Sequence, residues 1–469
     1  MQDSHAPGVA LVGYVHAENG IGELPRGIAS VMQAAGIPYQ IVARRGRPAD
    51  GRDVAFPRED LDWPDLGDAR DPAIVVAFEN ANTFPNLVAS GGLAGLDACY
   101  RVGYWAWEVD EFPERDVPSG DLVDEVWTLS EHSARAIASA VDAPVYVVPP
   151  PIRAEAYSRP AGRTSPDDPF RVLVSFDALS IPGRKNPAAA IAAYQRAFDP
   201  DDDAELVVKL VNARHAEGLS GELERAIHDR DDITVHEGYL DRDEYVSLVS
   251  SADAYLSLHR AEGFGYTLAE AMAAGKPVVG TGYSGNLEFM TEENSMLVDY
   301  TLVPVGPGHD PYPPTARWAE PDIDAAADAL RRLHADPVFA RDLGERARAD
   351  VARLHDPMTR APLVDRRVRD AAQRPKTRVG VGAGAGVGVG VVEPASPPAP
   401  PRGLVWRVAR RGLREVRWFW DRRRRAHEER ARRRARASAR RAADALRVRG
   451  GFGRPDYRGG PASARPGPP

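Results

Sequence analysis

The sequence has 469 residues, of which 43% are hydrophobic, which is enough for packed cores and too many for a chain that is disordered over most of its length. The length predicts about three structural units. The single cysteine, Cys99, excludes a disulfide framework and a cysteine-rich zinc site. The first residues carry no basic segment, and no apolar run reaches about 18 residues. We therefore expect a cytoplasmic protein without a secretion signal or a membrane-spanning helix.

The net charge of −8 conceals an uneven distribution. Residues 402–469 contain 22 Arg, no Lys and 6 acidic residues, so the rest of the chain is strongly acidic. Arg outnumbers Lys 56 to 4 over the whole sequence. Together with the abundant Ala, Gly and Pro, this ratio indicates a GC-rich coding sequence. The arginine content by itself therefore does not point to nucleic-acid binding.

The first part of the chain alternates short apolar runs, typical of buried strands, with helical patterns. We predict strands at VALVGYV, YQIVA, AIVVAF, RVGYWAW and DEVWTLS, in that order. Gly20 and Gly22 lie in a turn after the first strand, and we expect a helix to start near Pro25, since proline favours the first helical position. A further apolar run, VYVVPPPI, ends in the prolines at 149–151, which no strand interior tolerates, so we predict a first domain of residues 1–157.

The alternation resumes after a polar, proline-rich stretch. We predict strands at FRVLVSF, ELVVKLV, ITVHEGY, AYLSLH and KPVVGT, separated by helical segments. Such alternation predicts parallel sheets with right-handed crossovers. We therefore predict an α/β fold with two Rossmann-like, doubly wound parallel-sheet domains facing a cleft, the second at residues 158–350, followed by a closing helical segment at 351–375.

Two further segments follow the predicted domains. Residues 376–401 are rich in Gly and Pro, as in a linker. Residues 402–469 form an Arg-rich tail, in which apolar residues between Trp406 and Trp420 recur at three- and four-residue steps. That pattern is typical of an amphipathic helix on an anionic membrane surface. A disordered tail is the alternative.

The segment with the most functional residue types runs from His259 to Met272, between a predicted strand and a predicted helix. Gly263 and Gly265 allow a ligand to approach the backbone closely, and the N-terminus of the helix offers N–H groups to a phosphate. Glu262 lies just before these glycines, and Glu270 lies two turns into the predicted helix. The two carboxylates are therefore spaced to accept hydrogen bonds from the hydroxyls of one elongated ligand. A simple glycine turn followed by a surface Glu is the alternative.

Glu262-x7-Glu270 with Gly-Phe-Gly, followed by AEAMAAGKPVVGTGYSGNLEFM, resembles the retaining nucleotide-sugar glycosyltransferases of family 4, which have the two-domain GT-B architecture. The resemblance covers about residues 8–370. It implies that Glu262 holds hydroxyls of the donor sugar and that Glu270 holds the nucleotide ribose. It also implies that N–H groups near Phe264 and Gly265 line the sugar phosphate.

Cations at the carboxyl edge of the second predicted sheet would suit such a donor. Arg184 and Lys185 follow the first strand of that domain, in a predicted loop, and the resemblance implies that they bind the diphosphate. Fixed cations stabilise a leaving group without a metal ion. Lys209, on the next strand, is a candidate third cation. The Asp residues at 201–203 and 241–243 have local explanations as turn and cap residues, so we expect neither a metal nor a cofactor.

The first domain offers weaker candidates. Gly20 and Gly22 resemble the family's glycine loop near the phosphates and the acceptor. In the region where many relatives carry a functional His, this chain has Trp105, Trp107 and Glu108, which are acceptor-side candidates. The two Trp residues alternate like strand residues, so stacking on a sugar and burial in the core are both open.

The resemblance implies a hexosyltransferase that moves a sugar from a nucleoside-diphosphate sugar to a hydroxyl acceptor, a glycan or lipid-linked saccharide, with retained configuration. This reading places the protein in polysaccharide biosynthesis, in the cytoplasm, with the tail on the inner face of the cell membrane. Another GT-B activity, a phosphorylase or a sugar-nucleotide epimerase, is the first alternative. A non-catalytic scaffold that binds nucleic acid through the tail is the second, although we expect no nucleic-acid partner.

Overall fold

The computed structural model describes residues 7–17, 20–44, 72–157, 168–216 and 218–376. The predicted tail, and the predicted linker beyond Lys376, lie outside the described residues. Within the described part, the predicted α/β fold with two parallel sheets is confirmed, and each sheet has six strands. None of the described helices is both long and apolar enough to cross a membrane.

The first sheet has the strand order β2-β1-β3-β4-β5-β6. Its strands are β1 (Val9–Gly13), β2 (Tyr39–Ala43), β3 (Ile74–Ala77), β4 (Tyr100–Trp105), β5 (Glu125–Thr128) and β6 (Val145–Val147). The accompanying helices are α1 (Gly20–Ala35), α2 (Phe84–Ala89) and α3 (Glu131–Ala138). Every pairing is parallel; β1, for example, aligns Val9 with Tyr39 on one side and with Ile74 on the other. Helices cover such a sheet on both faces, which is why its central strands are nearly continuous apolar runs.

The second sheet has the order β12-β11-β10-β7-β8-β9 and is also parallel throughout. Its strands are β7 (Phe170–Asp177), β8 (Ala204–Val211), β9 (Ile233–Glu237), β10 (Ala254–Ser257), β11 (Val278–Thr281) and β12 (Met296–Val298). Its helices are α4 (Pro182–Lys185), α5 (Pro187–Ala197), α6 (Leu219–Ile227), α7 (Arg242–Ser251) and α8 (Tyr266–Ala273). The two sheets lie within the ranges predicted for the two domains. The boundary itself stays a prediction, because residues 158–167 lie outside the described part.

The first helix starts earlier than predicted. α1 begins at Gly20, so Gly20 and Gly22 lie in its first turn rather than in a preceding turn, and Pro25 lies inside the helix. Pro25 is tolerated because a missing N–H so near the N-terminus removes only one intrahelical bond. The Arg26 guanidinium, from the same turn, donates to two carbonyls of the preceding loop at 2.6 and 2.8 Å. The predicted helix start near Pro25 was therefore wrong.

Arg184 and Lys185 also have a different local structure from the predicted loop. They end the single-turn helix α4. Pro182 and Pro187 each stand at the start of a helix, where proline is favoured, and Asn186 between them adopts a φ of 52°. The side chains of two adjacent cations are thus held on a short, defined turn.

An antiparallel hairpin follows the second sheet and was not predicted. Its strands are β13 (Tyr300–Pro304) and β14 (Arg317–Pro321), joined by the loop 305–316. The long connection and the prolines in both strands hide the hairpin pattern in the sequence.

Three closing helices follow the hairpin, and the last of them returns the chain to the first domain. The closing helices are α9 (Ile323–Ala335), α10 (Pro337–His355) and α11 (Pro357–Gln373). α11 packs against α1 and buries Val364 and Val368. The carbonyl of His355, the last residue of α10, accepts a hydrogen bond from the N–H of Ile152 at 2.8 Å. One apolar cluster contains residues of both sheets and of α11, so the core is continuous across the domains.

Candidate active site

A cavity of about 730 Å³ lies at the carboxyl edges of both sheets. In open α/β sheets this edge is where ligands bind. Most of the residues predicted from the sequence line this cavity: Gly20, Trp107, Glu108, Arg184, Lys185, Lys209, Glu262, Gly263, Phe264, Gly265 and Glu270. Trp105 and Gly22 are not among its lining residues. The fold therefore brings candidates from five separate stretches of the chain to one place.

Glu262 is a buried carboxylate held between two cations. Its Oε1 accepts from Lys185 Nζ at 2.5 Å, and its Oε2 lies 3.2 Å from Arg184 Nη1. Burial alone would raise the pKa of Glu262, but Lys185 and Arg184 lower it to about 2. Glu262 is therefore ionised at any working pH of the protein.

Burial lowers the pKa of both cations, but their neighbours offset that effect to different extents. Burial lowers the pKa of Lys185, and Glu262 offsets part of that effect. Burial also lowers the pKa of Arg184, but that effect is outweighed by three neighbours, Tyr312, Glu262 and Glu108, and the net shift of its pKa is upward. Arg184 stays charged in any case, because guanidinium does not lose its proton in proteins. The cluster thus places two cations against one carboxylate at the wall of the cavity.

Close backbone packing explains the glycines around Glu262. The Glu262 N–H donates to the Ser284 hydroxyl at 2.8 Å, and the Glu262 carbonyl accepts from the Gly285 N–H at 2.9 Å. A Cβ on Gly285 would lie 2.1 Å from the Gly263 carbonyl oxygen, so the two loops touch backbone to backbone. Gly265, the N-cap of α8, has a φ of 95°, which favours glycine.

Phe264 serves the core through its ring. The ring centroid lies 5.0 Å from that of Phe289 and 5.3 Å from that of His355, and the side chain is buried. The ring of Phe264 therefore packs in the core, and the residue also lines the cavity.

Glu270 meets two residues that the sequence did not suggest. On α8, its Oε1 accepts from the Tyr157 hydroxyl and lies 3.2 Å from Arg242 Nη1. The Arg242 guanidinium also lies over the Tyr157 ring, 5.0 Å from its centroid. Burial raises the pKa of Glu270, whereas Arg242 opposes that shift. In the sequence, Arg242 is the middle residue of Asp-Arg-Asp. The cap preference of the two Asp residues explained that motif, so nothing pointed to Arg242 as a site residue.

Lys209 is a further buried cation that lines the cavity. It lies on β8 and is 3% exposed, and its Nζ donates to the Gly238 carbonyl. Burial lowers the pKa of Lys209 to about 8. Its charge is therefore sensitive to pH near neutrality.

The two Trp candidates have different surroundings. Trp105 is 0% exposed and packs between Phe84 and Phe112, so it belongs to the core. Trp107 lines the cavity, and its indole N–H donates to the Glu111 carbonyl at 3.0 Å. Trp107 is also buried and packs edge-on against Phe112 and Tyr312, so it belongs to the core and lines the cavity as well, whereas Trp105 belongs to the core and does not line the cavity.

Glu108, beside Trp107, faces the cations of the second domain. Its Oε1 lies 3.9 Å from Arg184 Nη2, and its Oε2 accepts from the Tyr312 hydroxyl at 3.0 Å. Tyr312 was not predicted, because it lies in the loop of the unpredicted hairpin. The first domain thus contributes a carboxylate to the cation cluster.

The acidic triplets serve the local structure. Asp241 is the N-cap of α7 and forms a capping box with Glu244, and Asp202 accepts from the Asp199 N–H at 2.8 Å. In the described stretches, no group of three or more His, Cys, Asp or Glu side chains is placed to hold a metal ion.

Solved structures share this fold. The chain is 18% identical to sucrose-phosphate synthase from Thermosynechococcus elongatus, with a TM-score of 0.55 over 78% of this chain and 98% of that one. It is 14% identical to Alr3699/HepE from Anabaena, solved in complex with UDP and glucose, with a TM-score of 0.52 over 78% of this chain and 100% of that one. Two parallel sheets facing one cavity, with this likeness, define the GT-B architecture.

The protein is a glycosyltransferase of the GT-B type. The model of the family 4 glycosyltransferases in conflict systems matches residues 126–362, half of the chain, and the chain belongs to that family. No curated protein matches the sequence.

Proposed function

We propose that the protein transfers a sugar from a nucleoside-diphosphate sugar to a hydroxyl acceptor, with retained configuration and without a metal ion. The observation that carries this proposal is the cluster of Glu262, Arg184 and Lys185 at the cavity wall. It combines a carboxylate that accepts from sugar hydroxyls with two cations that face the same space.

The cations supply what the departing diphosphate needs. Negative charge develops on that group as the glycosidic bond breaks, and fixed cations in a water-poor site stabilise it without reorganising. Arg184 and Lys185 carry two positive charges, which Glu262 and the more distant Glu108 balance, and each cation has several N–H groups with which to bind a phosphate oxygen. Lys209, with its buried ammonium, would add to the same field.

Retention by double displacement needs a carboxylate nucleophile. Glu262 and Glu108, which both contact Arg184, are the candidates. Glu262 has a pKa of about 2 and is weakly basic, and one oxygen of Glu108 is engaged by a hydroxyl. We therefore favour attack from the face that the diphosphate leaves, with the leaving phosphate taking the proton of the acceptor.

HepE of Anabaena was solved with UDP-glucose, which makes this sugar nucleotide the first donor to test. For the acceptor we propose a glycan or lipid-linked saccharide. The proposed setting is polysaccharide biosynthesis at the inner face of the cell membrane, reached through the Arg-rich tail. These finer assignments rest on the resemblance stated for the sequence.

A panel of donors tests the proposal by measuring released nucleotide. We expect the wild-type protein to release nucleoside diphosphate from one donor in the panel, equally well in EDTA. Glu262→Gln should lower turnover by about 10²-fold, as when one charge-stabilising group is lost. Glu270→Gln should mainly weaken donor binding, and Glu293→Gln, which removes an exposed carboxylate outside the cavity, should match the wild type.

Other results would redirect the assignment. Wild-type turnover in Glu262→Gln would remove the cluster from catalysis. Activity lost in EDTA and restored by Mn²⁺ would overturn metal independence. Release of sugar phosphate in place of nucleoside diphosphate would favour a phosphorylase.

A further inference from the structure

The β13–β14 hairpin reaches from the second domain to the first at the cation end of the cavity. Exposed polar contacts connect it to the segment that follows β4, among them those of Thr315 with Glu111, Arg317 with Asp110, and Asp310 with Arg115. Exposed contacts of this kind stabilise weakly, by about 1 kcal/mol or less each. They orient the hairpin on the first domain. Between Asp310 and Thr315, the same loop also makes a buried contact.

That buried contact is made by Tyr312. The side chain is 6% exposed, and its ring stands edge-on to Trp107, with 5.4 Å between centroids. Its hydroxyl, the only polar group of the side chain, donates to Glu108 Oε2 at 3.0 Å. The ring packs against Trp107, whereas the hydroxyl orients the Glu108 carboxylate, so one substitution that removes only the hydroxyl separates the two contributions.

The Glu108 carboxylate links the two domains at this point. While Oε2 is held by Tyr312, Oε1 faces Arg184 Nη2 at 3.9 Å. Arg184 in turn lies 3.2 Å from Glu262 and donates to the Ala261 carbonyl at 2.8 Å. A first-domain carboxylate and a second-domain carboxylate therefore share one guanidinium, with the cavity beside them.

The same hairpin also holds the helix that carries Arg184. His309 packs so closely on α4 that a Cβ on Gly183 would lie 2.7 Å from its ring. The Arg260 guanidinium donates to the Gly183 carbonyl and to Glu320 of β14, each at 2.7 Å. The hairpin thus contacts both the helix that carries Arg184 and, through Tyr312, the Glu108 side chain of the first domain.

We propose that Tyr312 is a positioning residue, which holds the Glu108 carboxylate beside Arg184 so that Glu108 orients the attacking hydroxyl of the acceptor. This inference rests on the proposed glycosyl transfer. Glu108 lies on the first-domain side of the cavity and directly against the motif that resembles the donor site, since a Cβ on Gly263 would lie 3.7 Å from the Glu108 Cγ. A carboxylate there accepts a hydrogen bond from the acceptor hydroxyl as it approaches, and the leaving phosphate takes that hydrogen as the glycosidic bond breaks. Without the Tyr312 hydroxyl, the Glu108 side chain is free to turn, and the acceptor loses its fixed partner.

Tyr312→Phe tests the inference because it keeps the ring and removes the hydroxyl. We expect turnover to fall about tenfold, the usual consequence of losing a hydrogen bond to a charged group at a reacting centre. The dissociation constant for UDP and the melting temperature should stay near wild-type values. Thr315→Val, which removes an exposed contact of the same hairpin, should retain wild-type turnover.

A double-mutant cycle identifies the route of the effect. Glu108→Gln should lower turnover at least as much as Tyr312→Phe, and the double variant should be no slower than Glu108→Gln, since Tyr312 acts through Glu108. Losses that multiply would overturn the inference, as would wild-type turnover in Tyr312→Phe. If the wild-type protein releases no nucleotide from any donor, the proposed function fails and this inference falls with it.

Discussion

Burial controls the charge of Lys209, the side chain on β8 that faces the cavity. Its folded-state pKa is about 8, below the usual lysine value of 10.5. Between pH 8 and pH 10.5 the unfolded chain keeps a proton that the folded chain has lost, so this residue makes folding stability rise with pH in that window. A bound diphosphate favours the charged form, and binding should therefore become weaker as pH rises through about 8.

We expect the UDP affinity of the wild-type protein to fall between pH 7 and pH 9.5, as measured by isothermal titration calorimetry. Lys209→Gln should bind UDP more weakly at pH 7 and should show a flatter pH dependence. Lys276 is a matched control, because burial also lowers its pKa to about 8 but it does not line the cavity. If Lys209→Gln and Lys276→Gln have the same slope as the wild type, Lys209 lies outside the anion site.

At the scale of elements, the first turn of α1 separates two glycines that look equivalent in the sequence. A Cβ on Gly22 would lie 1.9 Å from the Ala17 carbonyl oxygen, a backbone atom that cannot move alone. A Cβ on Gly20 would meet nothing closer than a Tyr266 ring carbon at 3.9 Å, which is an ordinary contact. Gly22 is therefore required for packing, whereas Gly20 borders the cavity.

We expect Gly22→Ala to lower the free energy of unfolding by about 1–3 kcal/mol, the usual cost of forcing atoms into a filled space. Gly20→Ala should leave it unchanged or raise it by up to about 1 kcal/mol, because Ala is the better helix former. Urea unfolding followed by circular dichroism compares the two variants. Equal unfolding midpoints would mean that the loop at Ala17 moves away freely.

At the scale of the whole molecule, the last described helix, α11, packs on the first domain and ends before the Arg-rich tail begins. α11 returns to the first domain, and Arg374, just after it, donates to Glu125 on β5 at 3.3 Å. Tyr100 and Trp127 donate to the same buried carboxylate. The helix that precedes the tail is therefore part of the described core. The predicted role of the tail can be tested by removing the tail alone.

We expect the full-length protein to sediment with anionic vesicles at low salt and less at high salt. Arginines near an anionic surface contribute about 1 kcal/mol each, and that attraction is screened by salt. A version ending at Lys376 should stay in the supernatant. Identical behaviour of the two proteins would contradict a membrane role for the tail and leave the glycosyltransferase assignment unaffected.

Local patterns determined most of the architecture. The apolar runs at β1, β3, β7 and β8 and the helices between them are readable because strand and helix periodicity depends on neighbouring residues alone. The motif from Glu262 to Glu270 is readable for the same reason, since strand, turn and helix follow within a few residues. Exact starts were less secure: α1 begins five residues before Pro25, because the packing around Gly22 and the bonds from Arg26 outweigh the proline preference.

Only the tertiary structure decided which residues share the cavity. Trp105 and Trp107 occupy alternate positions in one segment, yet one is enclosed by aromatic rings and the other borders the site. Tyr312 reaches Glu108 across 204 positions of sequence, and Tyr157 reaches Glu270 across 113. Contacts at such separations depend on how sheets, hairpin and closing helices pack together, and no local pattern in the sequence encodes that packing.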